Sequence, residues 1–402
     1  MLLLALSLPA HGFCGTYVGP ADATLRNHAT QVIVARDAPW TTLTLAADVQ
    51  GDAADFAVLI PVPASLGPED VREADPGLFA VLDAWSAPRE VAYSCPGDDS
   101  LGLGLTASDA TGGAPVAGDA WGVTTEAAFA TAHYALRLLD AEGAEGLMAW
   151  LDAEGFAVPP ASAPVLAGEI EAGRRFLVGR LRLDAPPVAA ATLPPLQLTL
   201  CEDAWSLPVQ LGATVAAGQQ ELILYAITRP EVGRVGVVNL PERVVEDECM
   251  VPRGETAEGW YAAELDRAFA EGGGWLTEYA WSSGKCDPCA GEPPDPAVLA
   301  AAGATWADPF VTRLRVRLSP HEADQPLALY GGGGGWTDQI RYIQWDWAME
   351  QSFPVCGGDP LVLPGSCEQA EALGCASAPT GAWWLLGLVA LTGRRRGRLC
   401  ER

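Results

Sequence analysis

Lys285-Cys286-Asp287-Pro288-Cys289 is the stretch whose residue types and spacing come nearest to a reaction. Two cysteines two residues apart allow one thiolate to attack a disulfide while the other resolves the mixed intermediate. Enzymes of that kind hold the first thiol at a helix N-terminus, where its pKa falls. Lys285 would lower it further and Asp287 would oppose that. The following AGEPPDP cannot continue a helix across its prolines. The pair therefore reads as a static Cys286–Cys289 disulfide stapling a loop, with thiol–disulfide exchange by the same two residues as the alternative.

Arginines and aromatics supply the other candidates. In TRLRVRL, residues 312–318, Arg313, Arg315 and Arg317 share one face of a strand, while Leu314, Val316 and Leu318 share the other. Arg180 and Arg182 repeat the pattern in VGRLRL. Such a stripe can hold a carboxylate or phosphate through bidentate contacts, or it can pair with Asp and Glu on adjacent strands. In WTDQIRYIQWDW, residues 336–347, Trp345 and Trp347 are candidates for a sugar-stacking platform, against core packing as the plainer reading.

Other chemistries find no footing. There is no G-x-S-x-G elbow and no H-E-x-x-H helix. A lone C-x-x-C with scattered histidines (His28, His133 and His321) is not a structural zinc set. Glycines 331–335 lack the Gly-Lys-Ser/Thr ending of a phosphate loop, and no calcium loop is present. No metal and no cofactor is expected. The net charge of −27 argues against nucleic acid, whose binding rests on Lys and Arg.

The two ends suggest an address. MLLLALSLPAHG, residues 1–12, reads as an export signal with an Ala-x-Gly cleavage site. Residues 381–402 place the apolar run AWWLLGLVALT before Arg394, Arg395 and Arg396, as in a membrane helix whose cations stay cytoplasmic. Residues 353–380, rich in Pro, Gly and Cys, read as a stalk. The order Gly374-Cys375, spacer, hydrophobic helix and arginine cluster resembles the C-terminal sorting signal of myxobacterial surface proteins. The resemblance implies processing by a sorting protease, with anchoring at Cys375. Of the eight cysteines between the export signal and the Gly374-Cys375 pair, local spacing also pairs Cys356 with Cys367. The expected place is outside the cytoplasm, at the cell envelope or surface.

Residues 13–350 form the body, with a sub-boundary expected near residues 96–119. Alternating runs such as TQVIVAR and TTLTLAA read as half-buried strands, and DFAVLIPVP as a more buried one. Helical spacing is found at 69–84, 143–155, 163–172, 258–270 and 296–302. The interspersion without a βαβ repeat predicts an α+β fold with a mixed or largely antiparallel sheet and short helices.

Phe13-Cys14-Gly15, NHATQVIVARD, DFAVLIPVP, APREVAY, LPVQLGAT, TEYAW, CDPC and TRLRVRL, in this order, resemble the exported bacterial family labelled domain of unknown function 2330. The likeness spans about residues 13–318 and departs at the long 96–119 loop. It implies a topology and no activity. The expectation is an envelope-anchored binding or structural module, whose partners would be the membrane and an envelope glycan or protein. An extracytoplasmic oxidoreductase using Cys286 and Cys289 is the alternative.

Overall fold

The computed structural model describes residues 16–18, 26–27, 30–47, 49–50, 56–63, 66–91, 121–182, 193–214, 219–245, 249–250, 257–285, 287, 292–319, 322–334 and 336–344. Helices α1 (Gly77–Ser86), α2 (Ala144–Ala153), α3 (Ala163–Glu171), α4 (Gln210–Thr214), α5 (Ala257–Ala268) and α6 (Pro296–Ala301) are interspersed among the strands, so the fold is α+β.

An eight-stranded sheet dominates, in the order Asp338–Gln339, Gly274–Ser282, Phe310–Leu318, Gln220–Thr228, Thr30–Asp37, Trp40–Ala47, Leu193–Cys201 and Val71–Glu73. Among its described strand pairings, Gln220–Thr228 with Thr30–Asp37 is parallel and the others are antiparallel. A five-stranded sheet runs Thr16–Val18, Ala57–Val62, Arg175–Leu181, Tyr134–Ala141, Val123–Ala130. A small sheet joins Ser206–Leu207, Leu327–Gly331 and Val235–Val237.

Side-chain alternation stacks these sheets. Val32, Val34, Leu222, Leu224, Leu314 and Val316 meet Val58, Ile60, Leu136 and Leu177 in the central core. Each such side chain, fully buried, stabilises by about 1.5–3 kcal/mol. The far face of the five-stranded sheet, with Ala57, Leu59 and Phe176, is covered by Leu147, Trp150 and Leu151 of α2 and Leu166 of α3. The far face of the large sheet, with Ile33, Tyr225 and Tyr279, is covered by α1 and α6, and further along by Tyr261 and Leu265 of α5. The result is four layers, helix–sheet–sheet–helix.

This layering explains where local patterns misread the elements. TQVIVAR, expected to be half-buried, is buried on both faces, because Ile33 and Ala35 pack beneath α1 and α6. The helix expected over 69–84 divides in two. Val71–Glu73 is an edge strand pairing with Leu196–Leu198, and the helix begins only at Gly77, whose N–H donates to Asp75 Oδ1 (2.7 Å). Strands before and after residues 92–120 pair within the same sheets, as Ala57–Val62 does with Arg175–Leu181. No described helix is long and apolar enough to cross a membrane, and residues 381–402 lie outside the described ones.

Candidate functional site

The strand Phe310–Leu318 lies between Gln220–Thr228 and Gly274–Ser282, with Leu314, Val316 and Leu318 in the central core. A register slip of one residue would drive its three arginines into that core, so the register is firmly specified. The arginines instead face α1 and α5, where they meet carboxylates in alternation. Glu278 accepts from Arg313 Nε on one oxygen and from Arg315 Nε on the other. Glu221 accepts from Arg315 Nη1 and, at 2.8 Å, from Arg317 Nε. Asp83 of α1 closes one end, accepting from Arg313 Nη1 at 2.6 Å, and Asp266 of α5 closes the other, accepting from Arg317 Nη1 at 2.9 Å. Tyr225, Tyr261 and Phe269 lie 5.3, 6.0 and 5.1 Å from the three guanidinium carbons.

A bulge makes this ladder possible. Pairing between Gly274–Ser282 and the arginine strand slips between Thr277 and Tyr279, leaving Glu278 as the extra residue. Glu278 and Tyr279 then both face the helices, and bulges characteristically re-aim side chains in this way. Glu278 is fully buried, and Arg313 is only 3% exposed. Burial pushes the Glu278 carboxyl up, but Arg315 and Arg313, with the Tyr261 hydroxyl at 2.6 Å, outweigh it and hold the pKa at about 2.

This has a consequence for pH. A carboxyl whose folded pKa is depressed contributes stability above its unfolded value, lost as pH falls through the folded one. Stability should therefore decline between about pH 4.5 and pH 2, by on the order of 3 kcal/mol from Glu278. Urea midpoints measured across that range for the wild type and for Glu278→Gln check it, because the variant should lack this part of the decline.

Two further places carry polar groups. Between the two cysteines of the C-x-x-C, Asp287 is buried and accepts from Tyr279 Oη at 3.0 Å. The next described helix, α6, starts at Pro296. A small cleft of about 20 Å³, room for about one water, is lined by Leu43, Pro61, Arg174, Leu200, Glu202 and Trp205 among others. Its guanidinium already donates to Glu202.

The small sheet presents a different surface. Leu207, Leu327, Leu329, Val235 and Val237 enter the central core. By alternation Ser206, Ala328, Tyr330, Gly236 and Val238 face the other way. The described helices pack elsewhere and leave this side open. Tyr330 is 42% and Val238 65% exposed. A Cβ at Gly236 would fall 2.6 Å from Tyr330 Cε1 and 2.7 Å from its Cζ and Oη, so the missing side chain lets the ring lie over the strand. Gly332 N–H donates to Arg234 O at 2.6 Å, which ties the loop after Tyr330 to the start of Val235–Val237.

The Arg234 side chain lies over the Trp275 ring (5.7 Å) and donates to Thr277 Oγ1 (2.7 Å) and to Glu242. Burial pushes the Asp338 carboxyl up, opposed by Arg234. Two residues before it, Trp336 is 59% exposed. Trp336 thus lies two residues ahead of the edge strand Asp338–Gln339 of the large sheet.

Of the residues singled out by sequence, Arg313, Arg315 and Arg317 come together in the internal ladder. Arg180 lies over the Phe156 ring (5.1 Å), and Arg182 donates to Thr131 O (3.2 Å). Cys286, Cys289, Cys356, Cys367, Cys375, Trp345, Trp347, Arg394, Arg395 and Arg396 lie outside the described residues. Sequence reasoning passed over Tyr330, Val238, Arg234, Glu242 and Asp338, which come from separate segments. The one local signal was Gly236 between two strand valines, since glycine inside a strand marks close approach.

The architecture is that of an α+β protein built on a large, antiparallel-dominated sheet with a few short helices. From residue 8 to residue 328 the chain matches, and it belongs to, the family described as uncharacterized protein conserved in bacteria (DUF2330). No curated protein and no solved structure matches it.

Proposed function

We propose that the chain is an exported, envelope-tethered binding module whose recognition surface is the open face of the small sheet. One observation carries this reading. Of the five large apolar side chains exposed among the described residues, three belong to this sheet's strands or the segments that leave them: Val238, Tyr330 and Trp336. Exposed apolar surface rimmed by polar groups marks interaction sites. The ladder arginines have their Nε and Nη1 donors committed to carboxylates, which favours an internal role for them.

The several cysteines of a chain with an export-type leader support an oxidising compartment, outside the cytoplasm. The sorting-type tail supplies the tether, with the membrane and a processing protease as its partners. Co-sedimentation of the full-length chain with detergent-extracted cell envelopes tests the recognition surface. The Tyr330→Ala/Trp336→Ala double variant should lose most of that retention with its thermal midpoint unchanged. Equal retention by the variant would refute the reading.

The docking of Asp287 bears on the oxidoreductase alternative. Asp287 stands between the two cysteines in the sequence and is buried against Tyr279, and a neighbouring carboxylate disfavours the thiolate that attack requires. Replacing both Cys286 and Cys289 with serine should therefore lower the thermal midpoint by several degrees, about the effect of losing 2–4 kcal/mol. Insulin-disulfide reduction should be no higher in the wild type than in the variant. Turnover present in the wild type and absent from a folded variant would reinstate the enzyme.

A further inference from the structure

We infer that the open face binds an uncharged polysaccharide, stacking it on Tyr330 and, beyond the glycine loop, Trp336, and engaging its hydroxyls through Glu242 and its partner Arg234. This rests on the reading of that face as the recognition surface and adds the class of ligand. A pyranose ring has a flat C–H face and a rim of hydroxyls that require directional partners. It is best met by an aromatic ring on a flat floor with carboxyl and guanidinium groups alongside.

Tyr330 and the glycines that follow it supply the ring and the floor. Tyr330 lies over Gly236, where a side chain would collide with it. Glycines 331–334 are all exposed and present backbone without bulk, so a ligand can approach closely. Their floor is packed from below, since a Cβ at Gly331 would meet Val232 Cγ1 at 2.4 Å and one at Gly334 would meet Pro230 O at 2.9 Å. Glu242, paired with Arg234, is 44% exposed and within reach of a ligand's hydroxyls.

Charge and area separate this ligand from its rivals. A chain of net charge −27, with exposed Glu231 beside the glycines, repels anionic polymers and anionic lipid headgroups. Three strands of two, five and three residues offer a footprint of roughly 160 Å² at standard strand spacings. A stable protein interface needs about 800 Å² per partner. A few sugar rings fit the smaller area.

The test uses the full-length chain in a polyoxyethylene detergent, which carries no sugar headgroup. The probes are hexamers of β-1,4-linked glucose, β-1,4-linked N-acetylglucosamine and α-1,4-linked glucose, with polygalacturonate as the anionic control. Tryptophan fluorescence titration and affinity electrophoresis are the readouts. At least one neutral hexamer should bind, and Tyr330→Ala and Trp336→Ala should each weaken it about tenfold with thermal midpoints unchanged. Glu242→Gln should weaken it several-fold, and polygalacturonate should not bind.

The inference falls if no neutral hexamer binds, or if binding is indifferent to both aromatic substitutions. Should envelope retention still depend on Tyr330 and Trp336 while no hexamer competes, the glycan is wrong and the recognition surface stands. If envelope retention ignores both residues, the recognition surface is wrong as well.

Discussion

Glu278→Ala is expected to destabilise the protein by about 3–5 kcal/mol, the range for breaking a buried ion pair from one side. The carboxylate is fully buried between Arg313 and Arg315 and accepts from both, so its removal strands two guanidinium groups in the sheet's far face. Asp83 and Glu221 would remain as their partners, and each is partly exposed and already shared. Desolvation of the arginines would persist while much of the attraction that offset it vanished. Urea unfolding followed by tryptophan fluorescence measures this. As a control, Glu271→Ala should cost under about 1 kcal/mol, because that side chain is 89% exposed and sits 3.7 Å from its partner Arg243. A Glu278→Ala loss no larger than the control's would show that the ladder adds nothing to stability.

Gly233→Ala should cost about 3 kcal/mol and also disable the open face. Its φ is +67°, where a side chain adds about 1–2 kcal/mol of strain. A Cβ there would lie 2.2 Å from Gly333 O and 2.8 Å from Gly334 Cα, both main-chain atoms that cannot swing aside. Gly233 and Gly333 form a β-bridge, and Thr228 Oγ1 donates to Gly233 O at 2.8 Å, so the displaced strand end is tied on both sides. Gly173→Ala separates strain from collision, since its φ is +74° but nothing lies within 4 Å of the added carbon. Gly173→Ala should cost about 1–2 kcal/mol and leave envelope retention intact. Equal losses for the two variants would mean that backbone strain alone, and not the clash with residues 333–334, sets the effect.

The division of labour between chain and fold is visible at Arg313, Arg315 and Arg317. Alternation along TRLRVRL suffices to place them on one face opposite Leu314, Val316 and Leu318, because strand geometry has a period of two and is local. Their partners were not legible. Glu278 precedes Arg313 by 35 residues, Glu221 precedes Arg315 by 94, and Asp83 precedes Arg313 by 230. Strand order and helix placement bring them within bonding distance. The bulge that turns Glu278 toward the helices follows from how two strands are paired, which neither strand's sequence contains.

By itself the sequence determined the α+β class, the main strands and helices, the strong negative charge and the family, because periodicity, composition and motif order are properties of the chain. Only the tertiary structure decided which polar groups neutralise one another and which face stays open. Helices α2 and α3 cover the far side of the five-stranded sheet, α1, α5 and α6 cover the large one, and no described helix reaches Tyr330. Exposure depends on whether a covering layer from elsewhere in the chain arrives, and the residues beneath it do not encode that.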